Sequence, residues 1–302
     1  MKNRKTGILM GGLSKEREVS LSSGKAVADA LKTAGYNIVQ IDVTSNLDRQ
    51  IREADIDVAF IALHGRFGED GTVQGLLEIM GIPYTGSSLL ASAIAIDKNR
   101  TRQILQLEGI KTAPGFIAEN QNDTNIRNLN FPLVVKPAIE GSSVGVSIAK
   151  NKDEYIKALK TAFECSDNVL IEQFVPGKEI QVAIIDSVPI GAVEVEPHGE
   201  FYDYDSKYKT GGSTHHIPPR IPELHLKKAL AAGKKVFDAI GCSGAARVDL
   251  IMDDTSDPTV LEINTIPGMT PTSLLPEIAA HAGIPFNKLV SQIIDNAKLH
   301  IK

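Results

Sequence analysis

The sequence predicts a mixed fold, with a doubly wound parallel α/β sheet over residues 1–95 and two α+β blocks behind it. Three observations carry that expectation. The first block alternates short apolar runs with amphipathic stretches, the order of parallel strands joined by helices. One of those runs, VAFIAL at 58–63, is continuously apolar, as a strand buried on both faces must be. Beyond residue 130, apolar runs come in sequential pairs joined by polar loops, the pattern of antiparallel partners.

The elements follow in order. Residues 6–10 form a short strand ending in Gly11-Gly12, and an amphipathic helix over 16–34 is closed by Gly35. Residues 37–43 and 58–63 are strands, and 71–80 is a helix stopped by Gly81. Residues 91–109 read as one helix, and 114–132 as an irregular stretch punctuated by Pro, Asn and Asp. Strands at 131–137 and 144–150 flank a loop of Gly and Ser; a helix at 153–163 and a strand at 169–174 complete the middle block. Residues 175–178 link it to a third block with strands at 179–185 and 190–195, then a long polar segment at 197–222. A loop of that length in a compact domain is characteristically a lid or a disordered segment. A helix at 224–240, strands at 245–252 and 259–264, and helical stretches at 273–283 and 287–300 finish the chain. The expected division is 1–95, 96–178 and 179–302; at about 150 residues per domain, 302 residues allow two domains or three small ones.

Composition excludes several classes of function. The balance of 32 Lys+Arg against 37 Asp+Glu gives −5, which argues against a broad electrostatic footprint for nucleic acid. Any anionic ligand must be held by local cations and backbone N–H groups. Cys165 and Cys242 stand far apart with no C-x-x-C, so two reduced thiols are expected rather than a zinc site or a disulfide. The basic start has too short an apolar stretch for a secretion signal, and no run approaches a membrane span. A cytoplasmic protein without membrane partners is expected.

Phosphate chemistry comes next. Neither G-x-x-x-x-G-K-[ST] nor G-x-G-x-x-G after the first strand occurs. Instead a strand delivers Lys136, a small-residue loop runs through Gly141-Ser142-Ser143, and a second strand returns. Successive unhindered N–H groups in such a loop can wrap phosphate oxygens beside the lysine. A plain hairpin with a flexible turn would look the same on this stretch alone. The metal signal is sharper. Arg247 and Asp249 are two apart on one strand, Glu262 and Asn264 two apart on the next, so period-2 alternation puts each pair on one face. A hairpin would join an Asp, a Glu and an Asn carbonyl into an all-oxygen set suited to Mg²⁺ bridging phosphates, with Arg247 placed to hold developing negative charge. The competing reading is a solvated polar face. Val248, Leu250, Leu261 and Ile263 alternate cleanly against these residues, which gives that face one direction.

After the second strand, Gly268 offers an unobstructed backbone N–H, and Ser273 stands before a helical pattern. Ser273 therefore reads equally as a helix cap or as part of a carboxylate site at a helix N-terminus. Near the start, Gly11–Ser20 and His64-Gly65 lie at the carboxyl ends of strands, where open α/β sheets bind ligands. Glu16 and Glu18 would also serve simply to complement a helix dipole.

Taken together, GG-x-S-x-E-R-E-V-S (11–20), HG (64–65), K-P-x-x-E-G-S-S-V-G (136–145), E-x-Q-V-A-I (179–184), F-Y-D-Y-x-x-K-Y (201–208), R-V-D (247–249) and E-x-N-T-x-P-G-M-T-x-x-S-L (262–274) resemble the D-alanine–D-alanine ligase family of the ATP-grasp superfamily. The resemblance spans nearly the whole chain, in order and at family spacing. It implies an ATP-grasp fold: an N-terminal substrate-binding domain and two α+β domains clasping ATP. It implies that Lys98 and Lys136 hold nucleotide phosphates, and that Glu172, the backbone around Phe174 and Val175, and Glu179 bind adenine and ribose. Asp249, Glu262 and Asn264 are implied to hold two Mg²⁺ ions, with Mn²⁺ able to substitute. Glu16 is implied to meet the first D-Ala ammonium, with His64 near its carboxylate. Ser142 and Tyr208 link Glu16 to the lid, and Lys207 reaches the γ-phosphate. Arg247 and the Gly268 N–H stabilise the tetrahedral intermediate, and Ser273 and Leu274 seat the second D-Ala. The implied reaction makes D-alanyl-D-alanine for peptidoglycan precursors through an acyl phosphate, in a homodimeric enzyme. A ligase using D-lactate or another D-amino acid second, and a non-catalytic nucleotide-binding module on the same fold, are the rivals; the module would not need the full set of metal ligands and lysines. The lid after Tyr208 (209–219) departs from the family pattern, and His215-His216 there is expected to be solvated lid rather than a metal site.

Overall fold

The computed structural model describes residues 1–139, 141, 144–198, 212–253 and 257–301. Its strands form three sheets. In the first, β1 (Lys5–Gly11) lies between β2 (Asn37–Val43) and β3 (Val58–Ile61), all parallel. Alternation along β1 sends Ile8 to one face and Leu9 to the other. Ile8, with Val58 and Phe60, packs on Val27 and Leu31 of helix α1 (Arg17–Thr33). Leu9, with Ala59 and Ile61, packs on Ile51 of α2 (Leu47–Ala54) and on Val73 and Leu77 of α3 (Thr72–Met80). Both faces are covered, which is why VAFIAL carries no polar residue. Helix α2 was not legible: its sequence, LDRQIREA, buries a single residue, Ile51.

The single helix expected over 91–109 is two. Helix α4 (Leu89–Ile96) ends and α5 (Lys98–Leu107) begins at Asp97, whose backbone is extended. Its carboxylate accepts the Asn99 and Arg100 N–H groups, each at 3.0 Å. An Asp side chain that caps the following turn competes with continued helix. The break places Lys98 in the first turn of a helix instead of mid-helix.

The second sheet is antiparallel, in the order β4 (Gly115–Ala118), β7 (Val169–Gln173), β5 (Leu133–Pro137), β6 (Ser147–Ala149). Helix α6 (Lys152–Cys165) covers it through Tyr155, Leu159 and Ala162. Strand β4 lies inside the stretch expected to be irregular; at four residues it is too short to show a period.

The third sheet runs β10 (Ser213–His216), β9 (Val188–Pro197), β8 (Lys178–Ile185), β11 (Ala245–Met252), β12 (Thr259–Asn264), antiparallel throughout. Ile180, Val182, Ile184, Val248 and Leu250 face α7 (Glu223–Ile240) together with α4 and α5. The opposite face, with Ala183, Ile185, Val193 and Ala245, meets α8 (Leu274–His281) and belongs to the same cluster as α1, β1, β3 and α9 (Phe286–Asp295). The C-terminal helices thus sit between the first and third sheets and fix one against the other. The helix expected to reach residue 300 stops at Asp295. Beyond it Lys298 and Tyr84 exchange backbone hydrogen bonds at 3.1 and 3.2 Å, and Glu78 accepts from the Tyr84 hydroxyl and the His300 N–H.

Strand β10 lies within the segment expected to be a lid. His215 and His216 are half-buried rather than solvated. His215 Nδ1 lies 2.7 Å from Glu277, and His216 Nε2 lies 2.8 Å from Glu196. A strand edge pairing with β9 holds them there. Ser142, Lys207 and Tyr208 lie outside the described residues.

Among the described residues no helix is long and apolar enough to cross a membrane. Both cysteines are free, and burial pushes the Cys242 thiol up to about 12, so it is a poor nucleophile.

Candidate active site

The sequence-predicted residues divide between two neighbouring cavities. The first is lined by Lys98, Lys136, Glu172, Phe174, Val175, Glu179, Asp249 and Glu262, and lies between the second and third sheets. The second is lined by Glu16, His64, Arg247, Asn264, Gly268, Ser273 and Leu274, where the first block meets the third. Lys98 and Glu262 line both and are paired at 3.2 Å across the shared wall.

Strands place the charges of the first cavity. Lys136 on β5 pairs with Glu172 on the adjacent β7 at 2.6 Å, with both residues under a tenth exposed. Glu179 Oε1 accepts from the Gln181 amide at 2.9 Å. The Phe174 N–H is taken by the Pro132 carbonyl at 3.2 Å, whereas no protein acceptor among the described residues takes the Val175 N–H. A ligand edge read by this stretch would therefore meet Val175. Lys98 is anchored by its own N–H to the Ala138 carbonyl at 2.9 Å, which ties α5 to the loop after β5.

The β11–β12 pairing brings the four polar residues together as their spacing predicted. Asp249 stands opposite Glu262, and Arg247 opposite Asn264. Arg247 grips Asp249 with a two-pronged contact at 2.7 and 2.8 Å, and Asp249 is 2% exposed. Asn264 Oδ1 accepts from the Ile266 N–H at 2.9 Å, and an amide oxygen keeps a second lone pair. Two carboxylates and an amide oxygen on one face suit a hard divalent cation that takes a few protein ligands and completes its shell with phosphate and water. Among the described residues no group of three or more His, Cys, Asp and Glu side chains is placed to hold a metal ion.

The second cavity is built from loops and helix ends. Glu16 precedes α1, and its carboxylate lies against Gly65 and Gly141. An added Cβ would stand 2.3 Å from Oε2 at Gly65 and 2.9 Å at Gly141. Gly65 also has φ +67°, so it is glycine for two reasons. The Ser14 hydroxyl donates to the His64 carbonyl at 2.7 Å and accepts the Glu16 N–H at 3.2 Å, joining the first loop to the HG turn. Arg17 anchors the same helix start on Asp42, and that hydrogen bond holds the Asp42 carboxyl below its usual range. Ser273 occupies the N-cap position of α8 without capping it; its hydroxyl accepts the Thr270 N–H at 3.0 Å, which leaves the helix N-terminus open. Among the described residues no protein acceptor takes the Gly268 N–H.

Comparison with known proteins matches this arrangement. A model of the D-ala D-ala ligase C-terminus matches residues 103–295, and one of the N-terminus matches residues 43–87. The chain belongs to the D-alanine–D-alanine ligase family. It is similar to the D-alanine–D-alanine ligase of Citrifermentans bemidjiense, at 50% identity covering 100% of this chain and 98% of the relative. The Bacillus anthracis D-alanine–D-alanine ligase solved with ATP superposes at TM-score 0.85, 38% identity, over 97% of this chain and 96% of that one. The VanG D-Ala:D-Ser ligase of Enterococcus faecalis does so at TM-score 0.84 and 29% identity, over 97% and 98%. Family membership accords with the observed layout of one parallel and two antiparallel sheets.

Sequence reasoning gave no role to two residues found at the second cavity. Ser14 was visible inside the GG-x-S motif but carries nothing until His64 is folded onto it. Glu69 lines the second cavity, 3.5 Å from His64 Nδ1. Its only sequence signal is an acid five positions after the histidine.

Proposed function

We propose that the protein is an ADP-forming ligase that joins two D-alanines, and that the two cavities hold ATP and the amino acids respectively. The carrying observation is the wall they share: Lys98 and Glu262 line both, so the two cavities adjoin where a phosphoryl group would pass from nucleotide to amino acid. The names of the relatives support D-alanine as both substrates.

The carboxylate of the first D-Ala attacks the γ-phosphorus of ATP. The bond to the β-phosphate oxygen breaks, and an acyl phosphate and ADP result. The amine of the second D-Ala, having lost its ammonium proton, attacks the acyl carbon; the tetrahedral oxyanion collapses and phosphate leaves. In the first step Lys98 and Lys136 position and neutralise phosphate oxygens, since phosphoryl transfer depends on placement and charge more than on covalent help. Lys207 would join them from the lid. Glu172, the Val175 backbone, Phe174 and Glu179 hold adenine and ribose. Asp249, Glu262 and Asn264 would hold Mg²⁺, two ions in the family pattern and with Mn²⁺ as a substitute; when bound, the metal would neutralise phosphate charge. Glu16 receives the first ammonium, with His64 beside that substrate's carboxylate. Arg247 and the Gly268 N–H face the oxyanion; one such donor is worth about 3–4 kcal/mol in comparable sites. The open end of α8, with Ser273 and Leu274, receives the second carboxylate. Ser142 and Tyr208 would connect Glu16 to the lid. Closure excludes water from the acyl phosphate.

The division at 95 and 178 belongs to the same reading, with the nucleotide clasped between the second and third blocks. So do a cytoplasmic site of action, where ATP is supplied, and a homodimer. Ile79 and Leu90, exposed on the packed helices α3 and α4, offer apolar surface for the latter.

Product analysis tests the proposal. With ATP, Mg²⁺ and D-Ala, ADP, phosphate and D-Ala-D-Ala should appear in equal amounts. AMP and pyrophosphate would refute the acyl-phosphate route, and equal turnover of L-Ala would refute the substrate.

A further inference from the structure

We infer that Ser23, a residue of α1 to which no motif assigns a role, is a positioning residue that fixes the tautomer of His64 and the backbone of the Gly268 loop at once. The proposal rests on the reading of His64 and Gly268 as substrate-site residues. Ser23 is fully buried, and its hydroxyl oxygen has two partners: it accepts the Met269 N–H at 3.2 Å and lies 3.2 Å from His64 Nε2.

Directionality follows from what each group can do. A backbone N–H only donates, so Ser23 Oγ accepts from Met269. The Ser23 proton then needs an acceptor, and His64 Nε2 is the one within reach among the described residues. A buried hydroxyl proton without an acceptor is costly, so Nε2 carries the lone pair. The other end of the ring gives the same answer independently: Nδ1 lies 3.5 Å from Glu69 Oε1, and a carboxylate only accepts, so Nδ1 carries the proton. The chain runs Met269 N–H to Ser23 Oγ–H to His64 Nε2, then His64 Nδ1–H to Glu69.

Two consequences follow. Both ring nitrogens are committed, so His64 is oriented from behind, and its place beside the substrate is set by α1 rather than by the HG turn alone. The loop is pinned on successive amides, Met269 N–H to Ser23 and Thr270 N–H to Ser273, which anchors the chain immediately after Gly268 and limits where the Gly268 N–H can lie. Ser23 stands on the same helix that Glu16 begins. One hydroxyl therefore ties the helix that follows Glu16 to the loop holding the oxyanion donor.

The test is the ¹⁵N spectrum of His64 in the full-length protein with Ser23→Ala and Ser23→Thr, read alongside steady-state kinetics. Wild type should show the Nδ1–H tautomer. Ser23→Ala should move His64 toward the Nε2–H form and raise KM for the first D-Ala by about three- to tenfold, the scale of one lost buried hydrogen bond, with KM for ATP unchanged. Ser23→Thr, which keeps the hydroxyl, should restore the wild-type signals. A folded Ser23→Ala protein with an unchanged His64 spectrum overturns the proposal. So does an Nε2–H tautomer in wild type, which decides the matter even if the alanine variant does not fold. A shifted tautomer with unchanged KM for D-Ala upholds the wiring and overturns the placement of His64 in the substrate site.

Discussion

The two cavities are built by opposite strategies. The first cavity is made of strand side chains and a helix start held as ion pairs: Lys136 on β5 with Glu172 on β7, and Lys98 at the start of α5 with Glu262 on β12. The second cavity is made largely of loops and helix ends from both extremes of the chain, with Arg247 and Asn264 reaching it from β11 and β12; its loops are held by single hydrogen bonds through Ser14, Ser23 and Ser273. Charges on a sheet are close neighbours whatever else happens, so that cavity is stiff and its parts are mutually dependent. The loop cavity depends on the packing of α1, α8 and α9 between two sheets, so its geometry is a property of the whole molecule. The difference predicts that breaking a fully buried ion pair of the first cavity costs the most stability, and that changes in the second act mainly on substrate binding, with a smaller cost in stability.

The largest effect should come where the cavities meet. Glu262→Gln keeps the shape and removes the carboxylate facing Lys98. Turnover should fall by roughly 10²–10³ or more, the scale of removing one preorganised charge contact. Because Glu262 is half-buried at the cavity wall, the melting temperature should stay near wild type. Normal turnover in a folded variant would make Glu262 an ordinary strand residue.

Lys136→Met sharpens the contrast within the first cavity. It leaves the Glu172 carboxylate buried without its partner, which should cost about 3–5 kcal/mol in urea denaturation. Adding Glu172→Met should recover most of that stability while ATP binding stays lost. If the single variant is as stable as wild type, the pair is not structural and the stiffness attributed to this cavity is wrong.

Gly65→Ala probes the other side. The new Cβ would meet the Glu16 carboxylate at 2.3 Å in a backbone conformation that disfavours side chains. Displacing Glu16 should raise KM for the first D-Ala by about tenfold or more, with a stability loss of order 1–3 kcal/mol. Unchanged KM for D-Ala would separate Glu16 from the substrate ammonium. A matching rise in KM for ATP would dissolve the distinction between the cavities.

The smallest effect concerns the tail that closes the first sheet. Burial, followed by Lys298, lowers the His300 pKa from its ordinary 6.5, against the opposing pull of Glu78. The freed tail therefore binds a proton before the docked tail does. Docking is fully favourable above pH 6.5 and weakens as pH falls from there toward the lowered folded value. Protection factors of the Tyr84 and Lys298 amides, corrected for the intrinsic exchange rate at each pH, should fall as pH drops over that interval, and His300→Phe should remove the dependence. Protection that is flat with pH would show that His300 does not titrate with docking. Catalysis should be little affected, since the tail touches neither cavity.

Much of the wall between the two cavities was legible in advance. Arg247, Asp249, Glu262 and Asn264 could be placed on one face by counting in twos, because a strand fixes side-chain direction by residue parity alone. The boundaries of β2, β11 and β12 were legible for the same reason. Helix α2 and strand β4 were not, because one buried residue or four extended ones carry no period. Asp97 escaped because an N-cap inside an otherwise helical pattern looks like one more polar residue.

The sequence alone determined which residues are chemically able to hold phosphate, metal and substrate, and which share a strand face. These follow from side-chain chemistry and from the local geometry of the backbone, which depends on near neighbours. Only the tertiary structure decided that Glu16 lies against Gly65 and Gly141, that Ser23 reaches both His64 and Met269, that His215 and His216 are paired rather than solvated, and that Lys98 and Glu262 form the wall between two cavities. Those contacts span up to 246 positions along the chain. They exist because burying the apolar faces of α1, α8 and α9 between two sheets leaves one arrangement of the loops, and no local pattern records that arrangement.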